Sequence, residues 1–219
     1  MTLGLLIGNK NYSSWSLRPW LVLRQFGIEF EETRVALDTV AAAGVVREWS
    51  PAGKVPVLRN GAARVWDSLA ICEYLAELYP ERGLWPRDRE ARAHARSISA
   101  EMHSGFGALR AQMPMNVRAS GRRVAMTPEL ERDVARVGSL WRECLERKPS
   151  RGPFLFGEFS IADAMYAPVA FRFATYGAKL DKAESAYADV LRGLAPMRAW
   201  AEAAAREPEV IETAELGKP

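Results

Sequence analysis

The sequence predicts an α/β domain followed by an all-helical one, on three observations. In the first 80 residues, short apolar runs bounded by turn residues alternate with stretches of helical periodicity. One Asn-Gly step, Asn60-Gly61, lies between two β-rich runs. Beyond residues 83–88 nothing reads as a strand, and every apolar pattern has helical spacing.

The elements follow in order. Residues 3–7 form a short apolar run closed by Gly8 and Asn9, which suits a buried strand. From Leu17 the pattern turns helical, through Trp20, Leu21 and Leu23 to Gly27, a C-terminal stop. Residues 30–37 mix Phe, Thr and Val as a second strand does. Residues 55–59 and 63–66, either side of Asn60-Gly61, predict a hairpin with a type I′ turn. Leu69, Cys72, Leu75 and Leu78 then recur at helical spacing until Pro80. The order is β-α-β-β-β-α. Its β-α-β unit gives parallel strands through a right-handed crossover and its hairpin gives antiparallel ones, so the four-stranded sheet is mixed.

Residues 83–89 read as a linker. After them, 90–113 reads as one long helix carrying Ile98, Met102, Phe106 and Leu109, stopped by Pro114. Pro128 opens a helix over 129–146, and 161–173 and 196–206 are two more. The expected domains are therefore 1–82 and 90–219.

The chain has 219 residues, enough for a substantial core. Apolar residues at 48% and charged residues at 26% exclude disordered and collagen-like classes. A net charge of only +3 gives no footprint for nucleic acid. The apolar start has no basic residue before it and is too short for a signal peptide or a membrane span, so a cytoplasmic location without membrane partners is expected. Cys72 and Cys144 have neither zinc nor Cys-x-x-Cys spacing and read as small buried side chains in a reducing compartment. His94 and His103 have no ligand cluster around them, so no metal is expected. Arg118, Arg122 and Arg123 read as a solvated basic loop.

Four short constellations can carry chemistry. In Tyr12-Ser13-Ser14-Trp15-Ser16-Leu17-Arg18-Pro19, Pro19 is easiest to place in a first helical turn, which makes Ser16 the N-cap. Ser13 and Ser14 then precede a helix N-terminus, where exposed N–H groups and the macrodipole favour an anion that a hydroxyl can also serve. Taken alone, they are simply turn and cap serines. Lys54-Val55-Pro56 opens a strand. A proline there suits an edge or a cis bond that presents the Val55 backbone to an extended peptide, and Lys54 supplies a cation. The plainer reading is a strand start with an exposed lysine. Asp67-Ser68 begins the helix before Tyr79; the pair can hold an ammonium and a carboxylate, though Asp and Ser are also common N-caps. Ser160-Ile161-Ala162-Asp163 is a capping-box variant that starts a buried helix.

In this order and at these intervals, the motifs resemble the cytosolic glutathione transferase superfamily over most of the chain, from about Leu5 to Phe171. The residues that carry the resemblance are the serine-rich loop leading to Arg18, the Lys54-Val55-Pro56 step, Asp67-Ser68-Leu69-Ala70-Ile71 with Tyr74-Leu75, and Gly157 with the Ser160-x-x-Asp163 box. The first loop is most similar to the serine-type zeta and tau classes; Trp15 stands where the zeta pattern has Cys. The resemblance implies a thioredoxin-like first domain, a helical second domain, and glutathione as co-substrate without a metal. It further implies a homodimer pairing the first domain of one subunit with the second of the other. It puts the catalytic hydroxyl at Ser13, with Ser14 as the open alternative. Asp67 and Ser68 would receive the γ-glutamyl end, Val55 beside Pro56 the cysteinyl backbone, and Lys54 the glycine carboxylate. Met102, Phe106 and Met113 are candidates for the wall that holds a hydrophobic electrophile, each equally readable as bundle core. The implied activity is glutathione S-transferase. Glutathione-dependent isomerase, peroxidase or dehalogenase chemistry, and a non-catalytic ligand carrier, are the alternatives.

Overall fold

The computed structural model describes residues 2–218. Strand β1 (Leu3–Ile7) lies inside a four-stranded sheet of order β2-β1-β3-β4. It pairs in parallel with β2 (Phe30–Arg34) and antiparallel with β3 (Val57–Asn60), which in turn pairs with β4 (Ala63–Trp66). The hairpin falls where Asn-Gly puts it, shifted by one residue. Asn60 pairs with Ala63, so Gly61 and Ala62 form the turn. Only Gly61 has positive φ (58°), which is the type II′ pattern rather than I′.

Helix α1 (Ser14–Gln25) begins three residues earlier than Pro19 suggests. Ser13, not Ser16, is its N-cap, and Pro19 lies inside it. A helix interposed between β2 and β3, α2 (Val40–Trp49), is absent from the expected order. Thr39 caps it through the Ala42 N–H (3.1 Å), and it buries only Ala42 and Val46. The observed order is thus β-α-β-α-β-β-α, closing with α3 (Ser68–Leu78).

The second region is helical, from α4 (Arg89–Ser104) to α9 (Ala195–Ala205). The long helix expected over 90–113 is broken. Gly105 and Phe106 separate α4 from α5 (Gly107–Gln112), with Phe106 at φ 60°. A Cβ at Gly105 would come within 2.9 Å of the Glu101 carbonyl, so the break requires glycine there. Next come α6 (Pro128–Arg147) and α7 (Ile161–Tyr176). The sequence reading missed α8 (Lys182–Gly193), which precedes α9.

Helix α7 is apolar on every side and buried over nearly its whole length, as a central helix must be. Its first turn hangs on Asp163. That carboxylate accepts from the Leu155 and Ser160 N–H groups (3.1 and 2.8 Å) and from the Tyr187 and Ser160 hydroxyls. Burial still pushes its pKa up to about 6. One continuous core joins α1, α3, α4, α6 and α7, and a smaller cluster of Leu6, Val35, Ala42, Val46 and Val57 lies beneath α2. Cys72 and Cys144 are buried free thiols. Among the described residues, no helix is long and apolar enough to cross a membrane and no acidic, His or Cys cluster could hold a metal.

Candidate active site

The loop from β1 into α1 is held from four directions. Glu207 accepts from the Lys10 and Asn11 N–H groups (2.7 and 2.9 Å). Trp200 Nε1 donates to the Lys10 carbonyl (2.7 Å). Asn11 Nδ2 donates to Asn116 (2.9 Å), and Asn11 Oδ1 accepts from the Arg118 N–H (2.9 Å). The Tyr12 hydroxyl donates to Glu215 (2.7 Å) and accepts from Arg118 (2.9 Å). Arg118 also reaches the carbonyls of Glu207 and Glu209, and Arg122 pairs with Glu215. These arginines are therefore not a solvated run: two of the three tie the C-terminal segment to the serine loop.

The held loop delivers both serines to the start of α1, each 6% exposed. Ser13 Oγ donates to Ser16 Oγ (2.7 Å) and accepts from the Ser16 N–H (3.4 Å), while Ser16 Oγ accepts from the Gly8 N–H (3.1 Å). Ser14 Oγ accepts from Arg172 Nη2 of α7 (3.2 Å). Both serines line a 300 Å³ pocket with Tyr12, Trp15, Leu37, Lys54 and Val55. An adjoining 290 Å³ pocket shares Trp15, Lys54 and Val55 and runs on to Pro56, Trp66, Asp67 and Ser68. The Val55-Pro56 bond is cis. Lys54 is exposed at the rim.

At the far end Asp67 sits at φ 75° and caps α3. Its Oδ1 accepts from the Leu69 and Ala70 N–H groups (2.9 and 3.2 Å). Its Oδ2 lies 3.1 Å from His103 Nε2 of the helical region. Burial, with Arg18 and Arg110 nearby, holds the His103 pKa below its ordinary value against the pull of Asp67. His103 Nε2 thus faces the Asp67 carboxylate, whose side chain remains 40% exposed. Ser68 is buried, and its hydroxyl accepts from Arg18 Nη1 (3.4 Å).

Trp15 is the wall between the two ends. The guanidinium carbons of Arg18 and Arg110 lie 4.4 and 4.7 Å from the centroid of its ring, and His103 meets it edge-on at 5.2 Å. Burial, then Arg110 and Arg172, bring the Arg18 pKa down to about 9. Arg172 is likewise brought to about 9, by burial and then Arg110.

The structure places Ser13, Ser14, Lys54, Val55, Pro56, Asp67 and Ser68 around two adjoining pockets that share Trp15, Lys54 and Val55. It does not bring Met102, Phe106 or Met113 there. These are 2%, 7% and 1% exposed within the main core. Met102 follows the apolar stripe of α4 inward, the break at Phe106 turns that ring into the core, and Met113 borders a separate cavity with Tyr176 and Val134. Sequence reading missed Trp15, Arg110, Arg172 and Glu207. For Arg172 a signal exists: between Asp163 and the end of α7 it is the single charged residue in an apolar run.

Comparison with known families agrees with this layout. Residues 12–78 match the family model described as glutathione S-transferase, N-terminal domain, and residues 90–203 match glutathione S-transferase, C-terminal domain. The chain belongs to the glutathione S-transferase family. Among relatives, it is 39% identical over 93 residues to a probable maleylacetoacetate isomerase of Caenorhabditis elegans, covering 42% of each chain. The matches to the first relatives span about two fifths of their own length. Among solved structures, a glutathione transferase homolog from Burkholderia gl BGR1 with bound glutathione is similar at TM-score 0.70 and 22% identity, over 94% of this chain and 98% of that one. A bacterial maleyl pyruvate isomerase of the zeta class is similar at TM-score 0.70 and 19% identity, over 95% and 100%. At these identities the structural likeness shows the shared transferase fold, a mixed-sheet thioredoxin-like domain followed by helices.

Proposed function

We propose that this transferase-family chain binds glutathione in the cleft and ionises its thiol for transfer or isomerisation chemistry. The adjacency of the two pockets supports the proposal: through their shared Lys54 and Val55 they bring Asp67 and Ser68, the Val55-Pro56 backbone, and two serines at a helix N-terminus near one another. A γ-linked tripeptide presents the same features in sequence, namely an amino-acid head group, a backbone able to pair as a strand, and a sulfur. The γ-glutamyl ammonium meets Asp67 and its carboxylate the start of α3. The cysteinyl backbone pairs with Val55, and the glycine carboxylate takes Lys54. The sulfur is left beside Ser13 and Ser14.

A free thiol has a pKa of about 8.5 and reacts as its thiolate. A hydroxyl donor and the α1 N-terminus both favour the anion and so lower that value. The thiol proton leaves to water, and the serine keeps its own. The similarity to isomerases as well as transferases supports both outcomes, addition to an electrophile and addition followed by rotation and release. We place the protein in the cytoplasm and as a homodimer, as the family resemblance implies.

Calorimetry with glutathione, and ultraviolet absorbance of its thiolate against pH, test the proposal. The wild type is expected to bind glutathione and lower its thiol pKa. The variant with both serines changed to Ala is expected to bind it with the sulfur titrating as in solution. A wild type that does not bind glutathione refutes the site, and full conjugation of an activated aryl chloride without the serines refutes the serine role. Sedimentation at micromolar concentration tests the dimer.

A further inference from the structure

The two serines are not equivalent. Ser13 is occupied locally: its oxygen caps α1 and its hydrogen is shared with Ser16 Oγ, which also takes the Gly8 N–H. Ser14 Oγ instead accepts from a buried cation, and its own hydrogen has no partner among the described residues. Arg172 is 5% exposed and paired with no carboxylate among the described residues. Its Nη1 donates to the carbonyls of Met113 and Arg110 (3.4 Å for the latter), which leaves Ser14 as its one hydroxyl partner.

A guanidinium buried without a counter-charge is costly unless something offsets it. Here three cluster within Coulombic reach, Arg18, Arg110 and Arg172, and the Nε of Arg18 has no partner. Asp67 opposes this charge at Arg18, and Asp133 does so at Arg110. An anion formed beside Ser14 supplies what the cluster lacks. A hydroxyl whose oxygen accepts a charge-assisted hydrogen bond is also the better donor, because bonds in a chain polarise one another.

We propose that Ser14 is the hydroxyl that donates to the glutathione sulfur, and that Arg172 of the helical domain is its positioning residue. Arg172 Nη2 holds the Ser14 oxygen so that the hydroxyl hydrogen is left for the thiolate. The assignment rests on the glutathione reading of the cleft and deepens it. The second domain thereby sets the thiol chemistry of the first.

The experiment titrates the sulfur of bound glutathione by its ultraviolet thiolate absorbance in the wild type, Ser13→Ala, Ser14→Ala, Arg172→Gln and Arg172→Lys, with calorimetry of glutathione on each. Ser14→Ala and Arg172→Gln are expected to raise the sulfur's pKa by about one unit, a tenfold loss of thiolate at neutral pH. Affinity measured where the thiol is protonated should change less than twofold. Ser13→Ala lowers the melting temperature, having lost the cap, and moves the pKa less than Ser14→Ala does. In the Ser14→Ala background, Arg172→Gln adds no further shift, and Arg172→Lys restores part of the wild-type value.

A larger shift from Ser13→Ala overturns the assignment, as does an Arg172→Gln shift of the same size with Ser14 absent. Should Arg172→Gln fail to fold for want of its carbonyl contacts, Ser14→Ala and Arg172→Lys read the same bond from its two ends. A wild type that binds no glutathione fails the reading of the cleft itself. Binding with normal ionisation in Ser14→Ala fails only this proposal.

Discussion

Glu207 tests how far the serine loop depends on the end of the chain. It is 8% exposed and uses both carboxylate oxygens on consecutive N–H groups, Lys10 at 2.7 Å and Asn11 at 2.9 Å. Glu207→Ala removes both acceptors and strands the N–H of Asn11, a residue with no exposed surface. A hydrogen bond to a charged group contributes roughly 1.5–3 kcal/mol. Water can replace the acceptor at the half-buried Lys10 but not at Asn11, which sets the expected loss at about 3 kcal/mol. For a chain of this size that lowers the melting temperature by roughly 6–12 °C. Because Ser13 and Ser14 lie two and three residues beyond Asn11, the thiolate signal of bound glutathione should fall in the same variant. Calorimetric melting and glutathione titration measure the two effects. A Glu207→Ala protein melting within about 2 °C of the wild type and activating glutathione normally would show that the loop is ordered without this carboxylate.

Three further outcomes follow from other sites. The Asp163 pKa is raised to about 6 by burial, so the folded protein holds this proton where the unfolded chain, near 3.9, has lost it. Its contribution therefore falls as pH rises from about 4 to 6, by about 3 kcal/mol, and urea unfolding should show that slope in the wild type and not in Asp163→Asn. For His103 the lowered pKa has the opposite sense: stability falls as pH drops below about 6.5, and His103→Gln should flatten that acid limb of the melting profile. Gly138→Ala would drive a Cβ into the Glu184 carboxylate, which is buried, paired with Arg142 and bonded to the Asp181 N–H. Despite alanine's better helix propensity, unfolding experiments should find this variant destabilised, by about 1–2 kcal/mol.

What could be read from the sequence was local. The strands of the hairpin, the Ser160-to-Asp163 box and the start of α3 each announce themselves within a few residues, because turns and caps are decided there. Helix α2 escaped because Val-Ala-Ala-Ala-Gly-Val-Val has few long apolar side chains to mark a face, and it buries only two of its residues. The cap of α1 was displaced because the chain continues the helix through Pro19, and packing of α1 against α7 and α3 outweighs the one backbone bond that proline removes. Met102 and Phe106, read as candidates for a substrate wall, lie in the core for a related reason. An apolar stripe at helical spacing does not say which neighbour it faces, and α7 lies against α4.

The site divides along the same line. Residues that would touch the tripeptide stand at the beginnings of elements, so short motifs reveal them. Residues that tune those groups act across the whole chain: Arg172 on Ser14, His103 on Asp67, and Glu207 on Lys10 and Asn11. Each of these three comes from the helical half and meets the first half at or just before a candidate site residue. The sheet and its helices provide a cleft, a presented backbone and two hydroxyls, which many thioredoxin-like domains could offer to different ligands. The helical domain supplies the groups that hold the Ser14 oxygen, face Asp67 and anchor the serine loop. A change buried in α7 and remote in sequence should therefore alter the reacting sulfur more than a change at exposed Lys54 on the rim.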